Sequence, residues 1–139
     1  GMLISANEYL YIFSPHFKLS DWLLQNLEKA ARRSVDINII SNNWTEEDLQ
    51  TLNDIGGISC HKLAGLKATC ILDNSKALLT SLNISEWGNE GDRHAGILIE
   101  SSQDVALYRT LKQEMLANLN LATPIKDQEE ELSNDLVLA

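Results

Sequence analysis

The stretch "GLKATCILDNSKALLTSLNISEWG", residues 65–88, decides the fold. An apolar run, "ATCILD", is followed by turn-forming residues at Asn74 and Ser75 and by a second apolar run, "ALLTS". This order predicts two strands joined as a β-hairpin. The polar loop "SLNIS" comes next and is typical of an anion site. No reactive side chain lies next to this loop in the sequence, so the function of the loop has to be found from the rest of the chain.

Upstream, the chain predicts a strand, a helix and a second strand. "YLYIF" (residues 9–13) is an apolar strand that Pro15 is expected to end, and "VDINIIS" (residues 35–41) is a second strand rich in β-branched residues. Between them, "LSDWLLQNLEKAARRS" predicts a helix with Ser20 as its N-cap and Trp22 on its inner stripe. A strand, helix and strand within about 30 residues predict a parallel βαβ unit.

Two more helices and two more strands complete the predicted domain. Thr45 is the expected N-cap of a short helix that stops at Gly56 and Gly57. The segments "ISCHKL" and "AGILIES" predict strands, and residues 103–121 predict an amphipathic helix that covers the sheet. The inner stripe of this last helix is predicted to consist of Val105, Tyr108, Leu111, Met115 and Leu119. The predicted class is therefore α/β.

Composition favours one domain with an acidic tail. The chain has 139 residues, of which 44% are hydrophobic, and no apolar run approaches the length of a membrane span. We predict a domain over residues 2–122 and an acidic, flexible tail over residues 123–139. The net charge is −9, of which the tail from Lys126 onward carries −4. This charge disfavours long-range attraction of DNA to the chain alone.

The cysteines favour a reducing compartment. Cys60 and Cys70 lie in apolar strand contexts, without a CxxC pattern or histidines at ligand spacing. Buried reduced thiols are the expectation, rather than a disulfide or a metal site. We predict a cytoplasmic protein with no metal and no cofactor.

The order of elements resembles a single phospholipase D-like module, the phosphodiesterase and nuclease superfamily defined by HxKxxxxD followed by GSxN. The similarity covers about residues 8–120 and rests on these segments: "YIFSPHF", "LEKAARRSVDINIIS", "GIS", "ATCILDNSKALLTSLNIS" and "AGILIE". The resemblance implies an α/β fold with a mixed, largely parallel central sheet flanked by helices in αβα layers. It also implies an active site formed where two modules meet.

The resemblance fixes a register on the hairpin. Asp73 stands at the motif aspartate, and Ser81 and Asn83 follow at the spacing of the phosphate-binding serine and asparagine. Thr80 occupies the position where glycine is usual. Ser81 and Asn83 can also be explained without a ligand, because their side chains suit capping of the following turn.

In that register the catalytic pair is missing. The nucleophilic histidine falls on Leu66 and the phosphate-clamping lysine on Ala68. Lys67 is adjacent, but neighbours on a strand point to opposite faces. His94 replaces the glutamate that family members often carry before the last apolar strand. Because an alkyl side chain can neither attack phosphorus nor neutralise a phosphate oxygen, the resemblance predicts a catalytically silent module.

Two functional interpretations compete, and a third, a plain interaction domain that keeps only the fold, stays open. In the first, the chain is a degenerate module that acts as a binding or dimerisation half, paired with itself or with a second phospholipase D-like module. In the second, it is an active phosphodiesterase or nuclease that uses His94, Lys67, Ser81 and Asn83, with nucleic acid or another phosphodiester as substrate. His16, His61 and His94 are each also explained as ordinary surface or hydrogen-bonded histidines.

Overall fold

A seven-stranded sheet forms the centre of the protein, seen in a computed structural model that describes residues 7–80 and 96–125. The strands are β1 Tyr9–His16, β2 Asp36–Asn43, β3 Ile58–Lys62, β4 Thr69–Asp73, β5 Lys76–Thr80, β6 Gly96–Glu100 and β7 Thr123–Pro124. The helices are α1 Asp21–Arg32, α2 Glu46–Ile55 and α3 Val105–Leu121. The strand order across the sheet is β6-β5-β4-β1-β2-β3-β7.

The sheet is mixed, as predicted. β1 pairs with β2 in parallel, which confirms the βαβ unit, and β2 pairs with β3 in parallel. The other four pairings are antiparallel, including the predicted β4–β5 hairpin. Parallel pairing is therefore confined to β1, β2 and β3, so the sheet is less parallel than the sequence suggested.

Local capping signals explain where the first two helices begin. The Ser20 hydroxyl accepts a hydrogen bond from the Leu23 amide, and the Thr45 hydroxyl accepts one from the Asp48 amide, each at 3.2 Å. These bonds satisfy amides that have no partner within the helix. At the end of α2, Gly56 has a φ of 79°, a conformation that favours glycine. Both predicted N-caps are confirmed.

Helices cover both faces of the sheet. Leu23, Leu27 and Ala30 of α1 and Leu52 of α2 are fully buried against one face. The sheet residues of that apolar cluster include Leu10, Ile12, Ile37, Ile39 and Ile71. On the opposite face, α3 packs over a second set of apolar side chains from β1, β2, β4 and β5. The αβα layering is thus built from alternating residues of the central strands.

Two predicted core positions are wrong. Trp22 is 36% exposed, because Leu23, its neighbour in the chain, is the residue of this turn that faces the sheet. Val105 is 52% exposed, because α3 contacts the sheet through Tyr108, Leu111, Met115 and Leu119 rather than through its first residue. In both cases helical spacing identified the helix but misjudged the limits of its buried stripe.

The residues that follow α3 pair with the edge of the sheet. Thr123 and Pro124 pair with Lys62 and His61 of β3, and the Ile125 amide donates to the Cys60 carbonyl at 2.8 Å. The first three residues assigned to the tail by sequence therefore belong to the sheet edge. Within residues 7–80 and 96–125, no helix is long and apolar enough to cross a membrane.

Candidate active site

Leu66, the position that the family register gives to the nucleophile, is part of an apolar cluster. It is half-buried and packs against the buried side chains of Phe13, Ile40 and Cys70 on the α3 face of the sheet. Leu79 packs against the same cluster from β5, where it is the register partner of Cys70. The position is therefore occupied by hydrocarbon that contacts the core.

Ala68 and Lys67 complete the segment before β4. Leu66, Lys67 and Ala68 lie outside the strands, between β3 and β4. Ala68 is half-buried and Lys67 is exposed. The side chains of Leu66 and Ala68 carry neither a charge nor a lone pair.

Asp73 lies at the far end of β4 from these residues. It pairs with Leu10 near the start of β1, and the five residue-to-residue steps from Ala68 to Asp73 span about 17 Å at the usual rise of a strand. Its Oδ1 accepts hydrogen bonds from the Ser75 amide at 2.8 Å, the Ser75 hydroxyl at 2.9 Å and the Lys76 amide at 2.9 Å. Asp73 therefore closes the β4–β5 hairpin and does not reach the Leu66 position.

Two tyrosines tie the hairpin to α3 and β1. The Tyr108 hydroxyl donates to the Asp73 carbonyl oxygen and lies 2.8 Å from the Tyr9 hydroxyl. Burial, followed by the bond to Tyr9, raises the pKa of Tyr108. The phenol is therefore a neutral donor at physiological pH, and the motif aspartate belongs to a structural network.

The phosphate-binding residues predicted from sequence, Ser81, Asn83 and His94, lie outside the described residues. Their assigned roles stay predictions. Thr80, the residue before Ser81, is 7% exposed and pairs with Thr69 of β4.

Four buried hydroxyl side chains form a row across the sheet at the Thr69 end of β4. They lie on the face opposite the apolar cluster that Leu66 packs against. Ser14 pairs with Ser41, and Thr69 pairs with Thr80, while the neighbouring pair of Phe13 and Cys70 sets Ser14 beside Thr69. The hydroxyls of Ser14 and Ser41 donate to backbone carbonyls at the ends of their own strands, each at 3.1 Å. Thr69 Oγ1 is buried and has no hydrogen-bond partner among the described residues.

Sequence reasoning missed this row. Its signal is a hydroxyl residue at the end of three apolar runs, at Ser14, Ser41 and Thr80, and at the start of a fourth, at Thr69. The row becomes visible only when the register between strands is known.

His16 and His61 lie on opposite faces of the sheet. His16 is exposed on the face opposite Leu66, where its Nδ1 accepts from the Asn43 amide group at 2.7 Å. His61 lies on β3, where its register partner is Ile40, a member of the cluster that Leu66 packs against. Burial lowers the pKa of His61, and its Nε2 is 3.0 Å from Asn38 Oδ1.

Cys70 is not a reactive thiol. It lies in the Leu66 cluster but is only 2% exposed, and burial raises the pKa of its thiol to about 12. Since the thiolate is the reactive form, this thiol is inert at physiological pH. In the described part of the chain, no group of three or more His, Cys, Asp or Glu side chains is arranged to hold a metal ion.

Comparison with solved structures supports the fold. The chain is similar to Nuc, a phospholipase D family member from Salmonella typhimurium, with a TM-score of 0.71 and 13% identity over 90% of this chain and 86% of that one. It is also similar to TrmBL2, an archaeal chromatin protein described as having a novel mode of DNA binding, with a TM-score of 0.62 and 16% identity. That similarity covers 89% of this chain but 48% of TrmBL2. No curated protein sequence matches the chain.

A family model also matches the sequence of the chain. The family model described as "Cardiolipin synthase, PLD-like domain" matches residues 1–116, which include both strands of the β4–β5 hairpin and the start of α3. The order of strands and helices agrees with the resemblance drawn from the sequence. The chain therefore belongs to this phospholipase D-like family.

Proposed function

We propose that this chain is a catalytically silent phospholipase D-like module that serves as a binding or dimerisation half of a phosphodiesterase- or nuclease-type assembly. Leu66 carries the proposal, because it fills the nucleophile position with a side chain packed against Phe13, Ile40 and Cys70. A covalent phosphoryl intermediate needs a nucleophile at that position, and leucine has no lone pair to supply.

The charged group that would stabilise the phosphate oxygens in the transition state is also missing. Removing a donor or charge that stabilises a developing oxyanion typically costs about 3 kcal/mol of transition-state stabilisation. Ala68 stands where the family carries its lysine, and the adjacent Lys67 is exposed. A chain that lacks both groups is expected to show no measurable hydrolysis by the family mechanism.

An exposed apolar surface supports association with a second module. On β6, Ile97 is 61% exposed and Leu98 is 54% exposed, and α3 adds Val105 and Leu107, each about half exposed. β6 is also an edge strand in the described sheet. An edge strand with exposed apolar side chains is a typical protein-interaction surface.

Sedimentation equilibrium of the purified chain and of Leu98→Lys tests the association. We expect a dimer for the parent chain and a monomer for Leu98→Lys, because a lysine on the edge strand blocks pairing. Leu121→Lys is the matched control, since Leu121 is 73% exposed at the end of α3. A monomeric parent, or equal dissociation by both variants, would contradict dimerisation through β6.

Restoring the motif tests the silent site separately. Leu66→His with Ala68→Lys returns the two missing groups, and circular dichroism first establishes that the variant is folded. Turnover of a chromogenic phosphodiester by this variant, with none by the parent, is the expected result if Ser81 and Asn83 still bind phosphate. Turnover by the parent would contradict the proposal.

The alternative is an active phosphodiesterase that uses His94, Lys67, Ser81 and Asn83. It is favoured by the exposure of Lys67, which leaves its ammonium group available to a phosphodiester or a nucleic acid. Loss of parental turnover in His94→Ala would establish this alternative.

A further inference from the structure

Six side chains form a polar and aromatic patch on the α3 face of the sheet, next to the apolar cluster that Leu66 packs against. They are Tyr9, Tyr11, Asp36, Asn38, His61 and Lys112, and together they are called the sheet patch. No step of the function proposed above uses them.

Strand register brings these residues to one face. Tyr9 is the partner of Asp36, and Tyr11 is the partner of Asn38 across the parallel β1–β2 pair. His61 is the partner of Ile40, which points to the same face two residues after Asn38. The sheet patch therefore spans β1, β2 and β3 beside α3.

A chain of hydrogen bonds fixes the polar groups. Asn38 Nδ2 donates to Asp36 Oδ1 at 3.4 Å, so the amide oxygen of Asn38 is turned to His61 Nε2 at 3.0 Å. Because an amide oxygen can only accept, His61 carries its hydrogen on Nε2 and presents a lone pair at Nδ1. This series of hydrogen bonds thus has an acceptor at each end. The two acceptors are the exposed carboxylate of Asp36 and the Nδ1 of His61.

Aromatic rings and one cation form the other side of the sheet patch. The ring of Tyr11 lies 5.4 Å from that of Tyr9 at an interplanar angle of 37°. The Lys112 ammonium lies 4.6 Å from the Tyr9 ring centroid, and Tyr9 is anchored through its hydroxyl to Tyr108. Tyr11 is half-buried, so part of its ring remains accessible beside Asp36 and Asn38.

We propose that the sheet patch binds a neutral sugar ring. Such a ring places its C–H face on the accessible ring of Tyr11, where apolar contact is available. Its hydroxyls donate to Asp36 and to His61 Nδ1, and they accept from Lys112. The ligand must offer donors, because both ends of the hydrogen-bond chain are acceptors, and this requirement disfavours a phosphate or another oxyanion.

The fixed hydrogen-bonded series of Asp36, Asn38 and His61 determines which ligands the sheet patch binds. Asn38 holds Asp36 and His61 in one orientation, so the two acceptors are preorganised and little side-chain entropy is lost on binding. The site lies on an open face and contacts a single ring, so we expect a dissociation constant of about 1 mM.

Nitrogen-15-edited NMR titration with free glucose, galactose, mannose and N-acetylglucosamine tests the proposal at sugar concentrations up to about 50 mM, well above the expected constant. We expect at least one sugar to give saturable shifts at Tyr11, Asn38 and His61. The same sugar should show saturation transfer from the protein to its ring C–H protons. The absence of saturable shifts with all four sugars would overturn the proposal.

Two variants and one control separate the sheet patch from non-specific binding. Tyr11→Leu removes the ring and Asp36→Asn removes the anionic acceptor, and each is expected to weaken binding at least tenfold. Asp54→Asn, at an exposed position on α2, should bind as the parent does. If Tyr11→Leu does not fold, Asp36→Asn decides the result. Unchanged binding in Asp36→Asn, or saturable shifts at the sheet patch with inorganic phosphate and none with sugars, would overturn the assignment.

Discussion

Replacing Asp73 with alanine should destabilise the protein strongly, because this residue holds the β4–β5 hairpin. Its Oδ1 accepts hydrogen bonds from the Ser75 amide, the Ser75 hydroxyl and the Lys76 amide, all at 2.8 to 2.9 Å. Its side chain is completely buried. Alanine removes all of these bonds together and leaves two backbone amides without their protein partner.

The size of the effect follows from those three bonds. At a net value of about 1 kcal/mol each, Asp73→Ala should lower the free energy of unfolding by about 3 kcal/mol. For a domain of this size that loss corresponds to a fall in Tm of about 12 °C. Asp73→Asn keeps an acceptor oxygen at the same position, so its loss should not exceed about 1 kcal/mol.

Thermal and urea denaturation of the two variants, followed by circular dichroism, measure this difference. The reasoning is refuted if Asp73→Ala unfolds at the parental temperature. It is also refuted if Asp73→Asn falls as far as Asp73→Ala, because the negative charge, rather than the acceptor geometry of the turn, would then be the stabilising feature.

Three further substitutions test separate contacts. Tyr108→Phe removes the hydroxyl that bonds the Asp73 carbonyl and Tyr9, and should cost about 1 to 2 kcal/mol in urea denaturation; a change near zero would contradict this role. Thr69→Val replaces a buried hydroxyl without a partner among the described residues, and should be neutral or stabilising by up to about 1 kcal/mol, whereas a clear loss would reveal an unrecognised partner. Burial lowers the pKa of folded His61 below its ordinary value of 6.5, so the unfolded chain binds more protons in that window. The stability associated with neutral His61 should therefore be complete above pH 6.5 and be lost as the pH falls through the lowered pKa; a Tm difference between parent and His61→Gln that is independent of pH would contradict this.

The sequence predicted the elements whose signals are local. Ser20 and Thr45 cap their helices because a hydroxyl before an acidic first turn can satisfy a nearby amide, and this needs no tertiary information. The turn at Asn74 and Ser75 was predicted for the same reason. The family resemblance then supplied the mixed sheet and its helical layers, which single elements do not specify.

The sequence did not predict features that depend on pairing between strands. β1 was expected to stop at Phe13, before Pro15, but it continues to His16 because the parallel ladder passes over the proline, from Ser14 opposite Ser41 to His16 opposite Asn43. The row of buried hydroxyls likewise depends on the register of four strands.

The candidate site was predictable only in part. The packing of Leu66 against Phe13 and Ile40 joins residues that are far apart in the chain, and no local pattern contains it. The distance of Asp73 from Leu66 follows from the strand between them, since an extended segment separates its two ends. A motif read along the sequence therefore did not show that its aspartate has a structural role at the opposite end of β4.

Turnover of a chromogenic phosphodiester by the purified parent chain, measured beside His94→Ala, tests the central claim most directly. Because Leu66 and Ala68 supply neither a nucleophile nor a phosphate clamp, we predict that the parent shows no hydrolysis above the uncatalysed rate and that His94→Ala is indistinguishable from it. Hydrolysis by the parent that is lost in His94→Ala would contradict the account and establish an active site built from other residues.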